Sequence, residues 1–302
     1  MKVEKIIAIL IVITGISSCE KDFLVSQQSG AKKMVVNSLF NDNGPFTVYL
    51  TDSYEAAGYG NINSINDAQI QLYENNVLKE VMKYTPSDTV NTFGAYKSIL
   101  VPQKGKIYSI KINEPVYGLV TATDTIPLAT TIVSSQLVQY GDSATHSNDV
   151  IVDMKIQDDA TVANYYRINI WIGGLQWHLD GNGDTITQQY FEARGPQMLT
   201  PVVDTVRDGI FLLFSDRNFN GQTKELKMKF DKMDPTNFVY LNLYIDLFTA
   251  SKTDYTYQQT LALYRSAAGS NSAEPVHVYN NIQNGYGVFA AEQFQEVPFN
   301  IK

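Results

Sequence analysis

The sequence has 302 residues, with 23 Lys and Arg against 31 Asp and Glu, a net charge of −8 at pH 7, 44% hydrophobic residues and a single cysteine. An acidic chain without a basic stripe is a poor partner for nucleic acid or for anionic lipid headgroups, and one cysteine excludes an intrachain disulfide framework. The length allows two ordinary domains with proper cores, and 19 Tyr and 14 Phe among many Thr and Val favour pleated, half-buried surfaces, so a mainly β protein is expected.

The chain opens with a short basic region, Lys2 and Lys5, interrupted by Glu4. Ile6 to Ile13 follow as an apolar run too short to span a bilayer as a helix. Ile16-Ser17-Ser18-Cys19 then has the lipobox pattern of an aliphatic residue and two small ones before a cysteine. Small residues let a peptidase reach the backbone, and the thiol is the nucleophile that takes up diacylglycerol. Residues 1–18 are therefore expected to be a lipoprotein signal peptide and Cys19 the lipidation site. At about 0.8 kcal/mol per buried methylene, two or three acyl chains such as palmitate hold a protein almost irreversibly. Glu20-Lys21-Asp22 places mostly acidic charge at the anchor, which resembles the export signal of surface lipoproteins of Bacteroidetes. Residues 19–31 form a lipidated tether.

From residue 32 to 127 short strands alternate with turn chemistry. Met34 to Leu39, Phe46 to Leu50, Ala68 to Tyr73 and Lys106 to Ile112 have period-two alternation. Asn75-Asn76 predicts a tight hairpin into Val77–Tyr84. Six or seven strands in this length suit an immunoglobulin-like or transthyretin-like sandwich, closed by the turn at Pro127. Residues 128–302 predict a larger β-rich domain, sandwich or barrel-like, with strands at Val150–Ile156, Tyr165–Ile172, Thr185–Phe191, Leu226–Phe230 and Phe238–Phe248. One short helix is expected at Thr253–Ser266, where Tyr257, Leu261 and Tyr264 share a face.

Asp180-Gly181-Asn182-Gly183-Asp184 carries oxygen ligands at positions one, three and five, as a calcium loop begins. Thr185 and Phe191 stand where such a loop needs glycine and a bidentate glutamate, so a plain turn is expected, with a weak Ca2+ site at Asp180, Asn182 and Asp184 as the alternative. His146, His178 and His277 lack metal-ligand spacing. No Gly-x-Ser-x-Gly elbow occurs, and spacing alone singles out no carboxylate pair. No catalytic residue, enzymatic activity or cofactor is expected. Tyr54, Tyr59, Trp171 and Trp177 are candidates for a glycan or peptide surface, and the Tyr54-to-Asn63 loop is a candidate partner contact.

Several segments together resemble a known family. They include Thr121-Ala122-Thr123-Asp124-Thr125-Ile126-Pro127, Gly105-Lys106-Ile107-Tyr108, and Phe214-Ser215-Asp216-Arg217-Asn218-Phe219-Asn220-Gly221. The last group is Glu274-Pro275-Val276 with Asn281-Ile282 and Gly285-Tyr286-Gly287-Val288-Phe289. The chain resembles the Bacteroidetes outer-membrane lipoproteins catalogued as domain of unknown function 4249 (DUF4249). Phe214, Ser215, Asp216, Phe219, Asn220, Gly221, Glu274, Pro275, Asn281, Gly285 and Gly287 are its motif positions, read here as structural: aromatic anchors, Asp and Asn bonding backbone, and glycines at turns. The resemblance implies an outer-membrane lipoprotein facing the cell exterior, a non-enzymatic accessory subunit of a protein complex with a TonB-dependent transporter or another β-barrel. The alternative is a free-standing lipoprotein that captures peptide, glycan or a metal chelate.

Overall fold

The structure is a computed structural model that describes residues 32–53, 63–88, 93–142, 147–268, 274 and 276–302. The signal peptide, Cys19, the Glu20-Lys21-Asp22 segment, the tether, Tyr54, Tyr59, the loop they belong to, His146 and Pro275 lie outside the described residues.

The first half contains β1 (Met34–Asn41), β2 (Thr47–Asp52), β3 (Gln69–Glu74), β4 (Val77–Val81), β5 (Lys83–Thr85), β6 (Ala95–Lys97), β7 (Ile107–Glu114) and β8 (Gly118–Thr125). Alternation decides their facing. In β1, Met34, Val36, Ser38 and Phe40 are buried while Asn37 and Leu39 face solvent. Asn75 and Asn76 both take positive φ, 47° and 65°, the conformation of a two-residue hairpin turn whose twist matches its strands. β3 and β4 accordingly pair from Glu74 and Val77 onward.

The second half contains β9 (Thr131–Asp142), β10 (Ser147–Gln157), β11 (Tyr165–Leu179), β12 (Thr185–Arg194), β13 (Gln197–Met198), β14 (Val203–Asp208), β15 (Phe211–Ser215), β16 (Thr223–Asp231) and β17 (Phe238–Ala250). Helix α1 (Lys252–Ala268) and β18 (Tyr286–Asn300) complete it. The protein is mainly β and sandwich-like, with α1 the only helix among the described residues.

A ten-stranded sheet, ordered β14-β15-β11-β17-β18-β1-β2-β6-β5 with β12 also on β11, runs through both halves. A four-stranded sheet, β4-β3-β7-β8, supplies the other side of one core, and β13-β16-β10-β9 that of a second. The first core centres on Phe40, Phe46, Tyr108 and Phe289, with ring centroids 4.5 to 6.2 Å apart. The second gathers Tyr166, Ile168, Ile170, Phe214, Phe219 and the Leu241-to-Leu247 alternation of β17. Burying one such side chain is worth about 1.5–3 kcal/mol.

β18 joins the halves. Its residues 286–292 pair in parallel with β1, and its residues 292–300 pair antiparallel with β17. Phe289 and Ala291 therefore belong to the first core, while Val297 and Phe299 pack on the second. The expected division after Pro127 falls between β8 and β9, yet the last strand of the chain completes both cores.

The helix corrects one expectation. Tyr264 is half exposed and Tyr257 and Leu261 are only partly covered; the inward face carries Asp254 and Tyr255, with Ala262 packed against the adjoining cluster. The Ser251 hydroxyl caps the helix by accepting the Asp254 amide at 3.1 Å, and this start fixes the rotation. Tyr255 then stacks on Tyr165, centroids 4.3 Å apart, and donates its hydroxyl to the Asp204 carbonyl at 2.8 Å.

Candidate functional site: an open aromatic sheet face beside buried carboxylates

The motif segment Phe214–Gly221 builds a closed clasp. Phe214 and Phe219 flank Tyr166 in the core, at centroid distances of 5.6 and 6.0 Å. Asp216 Oδ2 accepts the Asn164 amide at 2.7 Å, and Asp158 Oδ2 accepts the Gly221 amide at 2.7 Å. Tyr166 donates its hydroxyl to Asp158 Oδ1. Burial pushes the Tyr166 hydroxyl up, and the carboxylate beside it pushes the same way; burial also raises Asp216. Ser215 hydrogen-bonds Asp204, which Arg217 also holds at 2.7 Å. Gly221 sits at φ +73°, where an added Cβ would lie 2.6 Å from that of Ala160. The Asp158, Asp204 and Asp216 carboxylates are thus bonded within the clasp, while Asn220 is exposed.

The C-terminal signature does related work. The Asn281 amide donates to the Phe289 carbonyl at 2.8 Å while its oxygen accepts the Phe289 N–H at 3.0 Å. One side chain thus replaces a strand neighbour for β18. Gly285 approaches the Met34 carbonyl, and a Cβ on Gly287, at φ +106°, would overlap the Val36 carbonyl; the close β1–β18 pairing requires bare backbone at both. Glu274 is exposed. Asp124, from the earlier motif, accepts both the Ser251 hydroxyl at 2.6 Å and the Ala291 N–H at 2.8 Å.

The Asp180–Asp184 loop closes the β11–β12 hairpin. Asp180 Oδ1 accepts the Asn182 and Asp184 amides, each at 2.9 Å, and those bonds lower its pKa. The carboxylate is thereby committed to the turn. Among the described residues no group of three or more His, Cys, Asp or Glu is placed to hold a metal ion. His178 and His277 are exposed.

Two features were not visible in sequence spacing. Beneath α1, Arg167 of β11 is ion-paired with Glu292 of β18, and its guanidinium lies 4.0 Å from the Phe248 ring centroid. Asp254 is completely buried against them. Burial raises its pKa well above the carboxylate range, the Glu292 charge raises it further, and Arg167 opposes both. Asp254 Oδ2 and Glu292 Oε1 are buried without a hydrogen-bond partner, and a proton on Asp254 supplies the donor that would join the two carboxyls. Burial lifts nearby Asp246 to about 6, with Glu296 adding to the rise and Trp171 and Arg167 opposing it. Buried Arg167 Nε, Asn169 Oδ1 and Asp246 Oδ1 have no hydrogen-bond partner.

Beyond this cluster the same sheet face is open. Trp171 and Trp177 project from one side of β11, six residues apart, and the register sets Tyr244 opposite Trp171, Phe191 opposite Gly173 and Tyr240 opposite Leu175. The Phe191 and Tyr244 rings close over Gly173, where a Cβ would lie 2.8 and 3.2 Å from them. Phe191 is 70% exposed and Tyr240 39%. Asn242 donates to the Tyr244 hydroxyl at 3.1 Å, and Glu296 and Asn300 form an exposed polar rim. A separate groove of about 640 Å³ lies among Pro127, Leu128, Asp159, Val162 and Lys252.

A family model described as "Domain of unknown function (DUF4249)" matches residues 20–296. The chain belongs to the DUF4249 family. The match begins one residue after Cys19 and ends within β18, so the clasp, the Asn281 signature and the aromatic face of this DUF4249 protein all lie inside it. No curated protein matches the chain. Among solved structures, similarity is found to a chain described as "Complete structure of manganese lipoxygenase of Gaeumannomyces graminis and partial structure of zonadhesin of Komagataella pastoris". Identity is 10%, coverage is 89% of this chain and 93% of that one, and the TM-score is 0.22; a likeness at that level carries no argument about a DUF4249 fold or activity.

Proposed function

We propose that this DUF4249 protein is a lipid-anchored outer-membrane lipoprotein of Bacteroidetes type that binds rather than catalyses. In this reading it faces the cell exterior as an accessory subunit of a β-barrel or TonB-dependent transporter complex. The observation that carries the binding role is the open face of Trp171, Trp177, Phe191, Tyr240 and Tyr244. Aromatic side chains brought together with a polar rim are the composition of interface hot spots. The lipobox at Cys19 and the acidic residues behind it support the anchoring and its orientation.

The test is gentle detergent extraction of native membranes from cells making the chain tagged after Lys302, with co-purifying proteins identified by mass spectrometry. A stoichiometric barrel protein is expected, and the exposed-site variant Phe191→Ser should lose it without losing fold. A monodisperse lipoprotein with no partner refutes the subunit reading. The groove of about 640 Å³ supports the second reading, capture of peptide, glycan or a metal chelate. Direct binding of such ligands by the purified chain would favour it, and silence across broad ligand arrays would remove it.

A further inference from the structure

β12 pairs with β11 along one edge, and no described strand pairs with its other edge. Alternate residues of this ten-residue strand thus turn their backbone N–H and C=O outward. Proteins usually protect such an edge with charge, proline, a bulge or a covering element. Here Thr185-Ile186-Thr187-Gln188-Gln189-Tyr190-Phe191 carries neither charge nor proline, and Thr185 to Gln189 are exposed.

We propose that this edge is a dimer interface, in which β12 pairs antiparallel with β12 of a second copy and continues the ten-stranded sheet across a twofold axis. The occupant is argued from self-complementarity. A twofold normal to the sheet keeps like faces on the same side, so opposed residue numbers must sum to an even value and one residue stands opposite its own copy. With Gln188 at the axis, Asp184 would oppose Glu192, a like-charge pair that destabilises. With Tyr190 at the axis, nine residues of β12 overlap, as they do with Gln189, but Asp184 would oppose Pro196 and Arg194 would oppose Ile186, so neither charge meets its opposite. With Gln189 at the axis, Asp184 opposes Arg194 at both ends, where Arg194 already holds Glu192 of its own strand at 2.8 Å; Glu192 stands opposite Ile186, and Phe191 lies beside Thr187 on the aromatic side. The charges flanking the neutral run thus select one register. In that arrangement the two aromatic faces become one continuous surface, whatever molecule they engage.

The register is testable by cysteine substitution in the full-length chain in detergent. Residues directly opposed in antiparallel strands have Cα atoms about 4.5–5.5 Å apart, within disulfide reach, whereas a two-residue offset takes them beyond about 7 Å. Gln189→Cys should give disulfide-linked chains of doubled mass under mild oxidation, at least about tenfold more than Gln188→Cys or Tyr190→Cys. The parent chain, treated identically, accounts for any linkage through Cys19. Light scattering on the reduced parent should give a dimer mass that Arg194→Glu lowers and Asp184→Arg combined with Arg194→Glu restores. Equal linkage from Gln188→Cys and Gln189→Cys, or a monomer mass for the parent across the concentrations tested, overturns the proposal.

Discussion

Replacing Asp254 by Asn should remove a pH dependence from stability without removing a hydrogen bond. In the folded chain, burial and the neighbouring Glu292 charge hold the Asp254 carboxyl well above its ordinary value; in the unfolded chain it ionises near pH 4. Above that value the folded state binds more protons than the unfolded one. Its contribution is therefore full below about pH 4 and falls by about 1.4 kcal/mol per pH unit until the raised folded value is passed. The Asn amide donates to Glu292 as the protonated acid does, and its oxygen still accepts Gln258, now 3.3 Å from Asp254. The amide does not titrate. Urea unfolding of both proteins from about pH 4.5 to 8 should show D254N gaining on the parent by up to about 1.4 kcal/mol per unit. Asp246, with its folded value near 6, contributes to both curves and cancels in the difference. Parallel curves with a constant offset would refute a protonated Asp254.

Gly287→Ala should cost about 2–3 kcal/mol from the positive φ, and more from the overlap with the Val36 carbonyl; thermal unfolding and proteolysis of the β1–β18 pair would register it. Asp180→Ala removes the acceptor for two turn amides and should lower the melting temperature slightly. Calcium should leave the melting temperature of parent and variant unchanged, whereas a calcium-induced rise in the parent alone would restore the cation reading of the loop.

The local grammar of the fold was legible. Alternation located β1, β3 and β7, Asn75-Asn76 marked its hairpin, and α1 begins and ends within two residues of the predicted helix. Its inward face was not legible, because a hydrophobic stripe identifies the buried side only when the surface beneath is apolar. Here the sheet offers Arg167 and Glu292, and Asp254 answers them. The aromatic face was half legible. Trp171 and Trp177 share a parity that any strand imposes, and Phe191 joins them through the local β11–β12 hairpin register, whereas Tyr240 and Tyr244 join only through a register spanning some seventy residues. β9 and β14 escaped notice for another reason: β9 has no fully buried side chain among those described and its pairing with β10 is broken by register shifts, and β14 is interrupted by Asp204 at φ 54°.

Because β18 stands between β1 and β17, the order of synthesis opposes the order of assembly. A chain emerging from its N-terminus presents β1 first, but the parallel neighbour of β1 follows some 250 residues later. Until then the first core lacks Phe289 and Ala291, and the second lacks the strand beside β17. Pairing across such a separation carries a large loop-closure cost and slows folding. The main sheet therefore closes late, once β18 has followed the described strands it stands between, and until then β1 and β17 each keep an edge unpaired.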